Sequence, residues 1–292
     1  MIKETAEGKA FDVFNTLLMI LLMVIMIYPV YYVIMASFSN NNLLLSNKGL
    51  LLKPMGFTAG AYKLAFNHPL LMNGYKNIFV IIALSLPLDL FMTVCCGYFL
   101  ASKNVMFKKY IVVFIMFTMF FGGGLIPTFL NIKDLGLYNS SWSLIIPGCF
   151  SVYNALIAKT SIEEIPDSLI ESAYIDGAKE GTILIRIIVP LIKATLAVLS
   201  LYTIVGAWNS WFPATLYIKD LDKFPLQVIL RTILTTDNDI LNASDVRGDT
   251  VDSYAETIKY AAIVISTVPI LCIYPFLQKY FMKGVLIGAV KG

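Results

Sequence analysis

An all-α integral membrane protein of six transmembrane helices is what this sequence predicts, and three observations carry the prediction. Of its 292 residues 58% are hydrophobic and only 14% charged, with a mean hydropathy of +0.76, whereas soluble domains carry about 25% charged residues. The apolar residues gather in runs close to the roughly 20 residues that a helix needs to cross about 30 Å of hydrocarbon. These runs do not alternate in polarity as the strands of a membrane barrel would.

A short N-terminal segment, 1–13, leads into a first span at 14–36, inside a stretch from Val13 to Asn47 that carries no charge. The second span is 78–101, interrupted by Asp89, and the third is 110–132. The fourth lies at 140–160, the fifth at 187–212 with Lys193 near its start, and the sixth at 260–280. The first span is too long, and lacks the small-residue cleavage site, to be a removable signal peptide. Pro29, Pro87, Pro127, Pro147, Pro269 and Pro275 fall in or near these spans and read as kinks within a packed bundle. Gly122–Gly124 reads as a helix irregularity; with no GK[ST] after it, it is not a phosphate loop.

Six spans place both termini on one side. Lys103, Lys108 and Lys109 sit in one short connection, and Lys279, Lys283 and Lys291 near the C-terminus. Such residues favour the cytoplasmic side, which makes the loop 163–186 and the tail 283–292 cytoplasmic and leaves 213–259 as an external loop. The inside segments, although shorter, then hold slightly more than half of the 22 Lys and Arg residues. In the external loop Ile229, Leu230, Ile233 and Leu234 follow helical spacing, with Asp237, Asp239, Asp245, Asp249 and Asp252 after them. That apolar stripe packs either against a partner or on the outer end of the bundle itself.

Several function classes are disfavoured. A net charge of +3 with no dense basic tract argues against nucleic acid. Cys95, Cys96, Cys149 and Cys272 lie in apolar stretches and read as packing residues. His68 is the single histidine and precedes a proline in a polar loop, so no metal site is expected. No cluster of His, Ser or paired carboxylates suggests an enzyme.

The segment from Ile165 to Gly181 is the most informative. Pro166 suits the first turn of a helix, with Asp167 and Glu171 near its positive end. Leu169, Ile170, Ala173 and Tyr174 fall on one face, and Gly177 permits a turn that a residue with a Cβ resists. A second short helix runs through Arg186 to Pro190 and the fifth span. Glu171-Ser172-Ala173, three residues, Gly177, nine residues, then Ile187-Ile188-Val189-Pro190 resembles the EAA loop of ABC importer permeases, with Ser172 and Val189 as departures. Gly206-Ala207-Trp208-Asn209 and the tail Gly288-Ala289-Val290-Lys291-Gly292 resemble carbohydrate-uptake permeases of the MalG type. The Gly122–Pro127 and Pro225-Leu226-Gln227 stretches resemble the LplC/YtcP branch of that family, which is associated with complex or uronate-containing oligosaccharides.

The resemblance implies the type I (MetI-like) permease fold with a coupling helix. It implies a multi-pass protein of the cytoplasmic membrane, with both termini inside, forming half of a translocation pathway for carbohydrate. Expected partners are a second, homologous permease subunit in a heterodimer, two cytoplasmic ATPase subunits that bind ATP and Mg, and an extracellular or periplasmic solute-binding protein. No cofactor is expected in this chain. Glu171, Ala173, Asp176, Gly177 and Pro190 are the expected coupling residues, with Lys291 and Gly292 reaching the ATPase.

Sugar binding calls for aromatic faces beside hydrogen-bonding groups. Tyr153 and Asn154 on the fourth span, and Tyr202, Trp208 and Asn209 on the fifth, are candidates for the substrate pathway; Tyr202 and Asn209 are two helical turns apart. Trp208 and Trp211 fit an aromatic belt at a membrane boundary equally well. Asp89, a charge in mid-span, is a functional candidate by default; it bonds a sugar hydroxyl or, as the preferred reading, pairs with a polar group of the partner subunit. An ion-coupled secondary carrier is the alternative class, which calls for several intramembrane charges and an internal repeat.

Overall fold

The computed structural model describes residues 6–67, 69–103, 105–235 and 255–289. The chain divides into two compact units, Met1–Pro69 with Leu230–Val268, and Leu70–Ile229 with Pro269–Gly292. All regular elements among the described residues are helical.

In the first unit, α1 (Ala6–Ser37) is exposed along nearly its whole outer length from Phe11 to Ile27. A helix apolar on every face is solvated by lipid or by other helices, not by water. Beyond Pro29 the helix becomes anchored: Ala36 packs with Leu44 of α2 (Asn41–Ser46) and with Leu51. The Asn40 side chain starts α2 by accepting from the Asn42 backbone N–H, the usual device for satisfying an orphan donor of the first turn. The short α3 (Gly60–Asn67) buries Ala61 and Ala65.

The second unit opens with α4 (Pro69–Ala101), apolar enough to span from Leu70 onward and so longer than the 78–101 expected. Asn73 and Asn77 mask its early turns in the sequence. Asn77 Nδ2 donates to the carbonyls of Asp222 at 2.7 Å and Phe224 at 3.0 Å, which explains why a polar side chain stands there.

The third apolar run forms a bent pair of helices, α5 (Lys108–Phe120) and α6 (Leu125–Asp134), meeting at 110°. Gly124, at φ +87°, occupies a region closed to residues with a Cβ, so the glycine tract is a complete break, beyond the irregularity expected. The fourth run forms α7 (Trp142–Gly148) and α8 (Val152–Glu163), bent by 44°. Then follow α9 (Asp167–Ile175), α10 (Glu180–Ile183), a π-helical stretch Leu184–Ile188, α11 (Val189–Leu191) and α12 (Lys193–Asn209). Between Glu180–Leu191 and Lys193–Asn209 the axis turns by 82°, next to Pro190, which has no N–H to donate to the preceding turn. The chain continues through α13 (Phe212–Tyr217) and α14 (Leu226–Thr235) to α15 (Ala255–Ala289).

Phe11–Ser37, Leu70–Ala101 and Glu256–Ile273 can each cross a membrane alone, and six spans result if each bent pair counts as one. α4 and α8 approach closely, because a Cβ on Gly97 would lie 2.8 Å from the Ala158 Cβ. On α14, Leu226, Val228, Ile229, Leu230 and Ile233 are buried while Leu234 is 39% exposed. Leu226 and Ile229 abut Gly74 of α4, so this part of the stripe packs on its own chain. His68, the aspartates from Asp237 to Asp252, and the tail residues Lys291 and Gly292 lie outside the described residues.

Candidate functional site

Two sites emerge in the second unit, a capped helical knob and a polar cavity. In the knob, α9 ends in a paired backbone cap: the Gly177 N–H donates to the Tyr174 carbonyl at 3.0 Å and the Ala178 N–H to the Ala173 carbonyl at 2.9 Å. Gly177 holds φ +81°, the left-handed conformation this cap demands. Beneath it Ala173 is buried with Ile162, Ile183, Ile188 and Ile192. Glu171, Asp176 and Gly177 face outward, and Ile175 beside them is 86% exposed. The buried stripe is narrower than the sequence suggests, because Leu169 and Tyr174 are each 45% exposed. Pro190 sits at the 82° turn that joins the knob to α12.

The knob is fastened to α4 by polar contacts that no sequence pattern discloses. Tyr174 Oη donates to Glu180 Oε1 at 2.6 Å, and the Tyr98 hydroxyl donates to the other oxygen, Oε2. The bond to Glu180 pushes the Tyr174 pKa up. Lys103 Nζ pairs with Asp167 Oδ2 at 2.6 Å; Asp167 raises the Lys103 pKa, though an exposed pair of this kind adds little stability. Together these groups border a groove of about 1080 Å³ lined by Tyr98, Lys103, Lys108, Glu163, Tyr174 and Glu180. Tyr98 and Glu180 stand 82 residues apart, and no local pattern links them.

The cavity lies among α4, α7, α8 and α12 and has a volume of about 340 Å³. Asp89 is 2% exposed on its wall. Its Oδ2 accepts from the Thr203 hydroxyl and from Asn154 Nδ2 at 3.5 Å, and its Oδ1 accepts from Thr93 Oγ1 at 3.4 Å. A buried carboxyl group needs such donors. Its own chain provides them here, in place of the partner subunit expected from the sequence. Ser85, Ser151, Tyr202 and Ser210 complete the polar lining. The Ser85 Oγ is buried and has no hydrogen-bond partner among the described residues.

Of the expected pathway residues, Asn154 and Tyr202 meet at this cavity. Tyr153, next to Asn154 on α8, is 55% exposed and does not line it. Asn209 is exposed at the last turn of α12 and also lies off the cavity wall; the helix ends there, and Ser210, its extended cap residue, takes the wall position instead. Trp208 is 2% exposed, with its ring centroid 6.1 Å from Phe79 and 6.3 Å from Tyr75. It is a core residue, neither a boundary belt nor a pathway wall, because the α4 aromatics enclose it. Ser85 and Thr203 escape a reading of the sequence; a serine four residues before Asp89 is the available signal.

Protein LplC of Bacillus subtilis is 39% identical over 291 residues, 99% of this chain and 97% of that protein. The polygalacturonan/rhamnogalacturonan transport system permease protein YtcP of the same organism is 36% identical over 263 residues, 89% of this chain and 91% of that protein. Among solved structures, a chain from a bacterial ABC transporter involved in the import of the acidic polysaccharide alginate is 27% identical, with a TM-score of 0.86 over 96% of this chain and all of that one. Residues 54–287 match the family model described as the binding-protein-dependent transport system inner membrane component. This chain belongs to that family and is therefore a multi-pass membrane permease subunit, with ATP hydrolysis residing in a separate polypeptide.

Proposed function

We propose that this chain forms half of the translocation pathway of a carbohydrate importer, with an oligosaccharide as its cargo, and is driven through its α9 knob. Two similar proteins support the sugar assignment: YtcP by the polygalacturonan and rhamnogalacturonan in its name, and the alginate importer by its fold. The partners are a second permease subunit, two cytoplasmic ATPase subunits that bind ATP and Mg, and a solute-binding protein outside. Both termini and the knob lie in the cytoplasm, and Lys291 and Gly292 reach the ATPases.

The observation that carries the reading is the knob's construction. Its inner side is fixed by Ala173 in an isoleucine cluster, while Glu171, Ile175 and Asp176 stand outward on or just after a helix only nine residues long. A rigid base under an exposed mixed apolar and acidic face suits a socket on another protein. ATP-driven closure of the ATPase pair then displaces the knob, and the turn at Pro190 hands that displacement to α12.

Cysteine at Glu171 tests this in the complex purified from the membrane. Crosslinking of Glu171→Cys to the ATPase subunit is expected, together with Glu171→Ala losing most sugar uptake while the complex still assembles. A cysteine at 171 that reacts only from outside the cell, or normal uptake by the alanine variant, overturns the proposal.

A further inference from the structure

We infer that the Asp89 cavity is a subsite for one neutral sugar residue, and that it discriminates against uronates. The inference rests on the carbohydrate reading above and adds the substrate class that this chain itself contacts.

Consider first what the wall offers. Ser85 and Asp89 stand four residues apart on α4 and share a face. The Ser85 hydroxyl is buried, borders the cavity and has no partner among the described residues. A buried hydroxyl left unsatisfied is costly, so a ligand atom that bonds it gains more than it would at an exposed serine. The Asp89 carboxyl and the Asn154 carbonyl offer acceptor capacity beside it. Thr203, Thr93 and one N–H of Asn154 Nδ2 turn toward Asp89. Tyr202 adds an aromatic ring, 47% exposed, on the α12 side of the wall.

Sugar hydroxyls both donate and accept, so one ring can give a proton to Asp89 or Asn154 while accepting from Ser85. A carboxylate only accepts. Recognition of carboxylates relies on Arg or Lys, and none stands among the lining residues. A uronate entering here meets the Asp89 carboxyl with no compensating cation on the wall. The volume of about 340 Å³ lies at the lower end of ligand pockets, roughly 300–1,000 Å³, which suits a single ring in place of several. This departs from the polymers named for the similar proteins, which are acidic in the alginate case and polygalacturonan in part for YtcP.

The test uses the full chain in the purified complex, with the native cysteines replaced and Ser151→Cys placed as a reporter on the cavity wall. Protection of that thiol from a small thiosulfonate reagent is measured with galactobiose, mannobiose and xylobiose, and with digalacturonate. Neutral disaccharides are expected to protect at concentrations at least tenfold below digalacturonate. Ser85→Ala, which removes a hydroxyl that no described side chain or backbone group bonds, should weaken neutral protection about tenfold with no loss of thermal stability. Asp89→Asn should bring the neutral-to-uronate ratio toward one. Equal or better protection by digalacturonate, no protection by any neutral sugar, or an unchanged ratio in both variants overturns the inference. Uptake into proteoliposomes separates the two levels. If no saccharide of either class enters, the carbohydrate reading fails along with the subsite; if saccharides enter and the variants leave the preference unmoved, only the subsite fails.

Discussion

Asn139 and Asp220 clasp each other in both directions: Asn139 Nδ2 donates to Asp220 Oδ2 at 2.9 Å, and Asn139 Oδ1 accepts the Asp220 backbone N–H at 3.0 Å. The same Oδ1 accepts the Lys219 N–H, and Lys223 Nζ bonds both the Asn139 carbonyl and the Asp220 carboxylate. One residue at φ +61° thus pins the turn before α7 to the segment after α13. Asparagine suits this position because it tolerates the left-handed region and carries both a donor and an acceptor.

Lys223 first, and Asn139 second, hold the Asp220 pKa below its ordinary value. A carboxylate depressed on folding contributes stability that is present above its unfolded pKa and lost as pH falls through the folded one. The melting temperature of the wild type should therefore exceed that of Asp220→Asn at pH 7, with the gap closing below about pH 4. Asn139→Ala should lose more than Asn139→Gly, since glycine keeps the left-handed backbone. Thermal melts of the detergent-solubilised protein across pH read both.

A Cβ added at Gly177 would have no atom within 4 Å, so a side chain there meets conformational strain, not crowding. Each residue with a Cβ should cost roughly 1–2 kcal/mol in this conformation, with Gly177→Asn mildest and Gly177→Val worst. Melting temperatures should follow that order. If uptake collapses even in the mild Asn variant, the loss comes from the docking face.

Tyr98, Glu180 and Tyr174 act as one network. Tyr98→Phe and Glu180→Gln should each lower stability by about 1 kcal/mol, and the double variant by clearly less than the sum, because both remove the same bond. ATPase activity and sugar uptake measured side by side should show hydrolysis persisting with less transport per ATP.

Gly97 sets the spacing of α4 and α8. Gly97→Val should cost about 1–3 kcal/mol by overpacking. Ala158→Gly should restore part of it, the remainder being fixed by the Lys159 N and Ala155 O backbone atoms at 3.2 and 3.3 Å. Chemical denaturation of the single and double variants checks the recovery.

Trp208→Ala should destabilise by about 3–5 kcal/mol, as loss of a buried aromatic does. Asn209→Ala, one residue on but exposed, should leave melting and sugar affinity near wild type. The reverse pattern would return Asn209 to the pathway.

Much is legible in the sequence alone, for reasons of local chemistry. Long apolar runs with few charges had to be helices in lipid. The capped knob was readable because Pro166 and Gly177 bracket a short helix with Ala173 on its inner face, and each acts through its own backbone. Gly122–Gly124 and Pro190 announced disturbances, but their size did not follow: the chain turns by 110° at the first and 82° near the second.

Composition and spacings within about 20 residues were enough to establish the membrane-protein class, its helical character and the short capped helix of the knob. Which polar groups meet was settled only by packing across the whole chain. Asp89 finds Asn154 and Thr203 65 and 114 residues away, Tyr98 finds Glu180, and Trp208 turns into the core while Tyr202 faces a cavity. Helical periodicity ranks faces without naming their neighbours. Which buried donor reaches which acceptor follows from how bent helices stack, and that is a property no short stretch of residues carries.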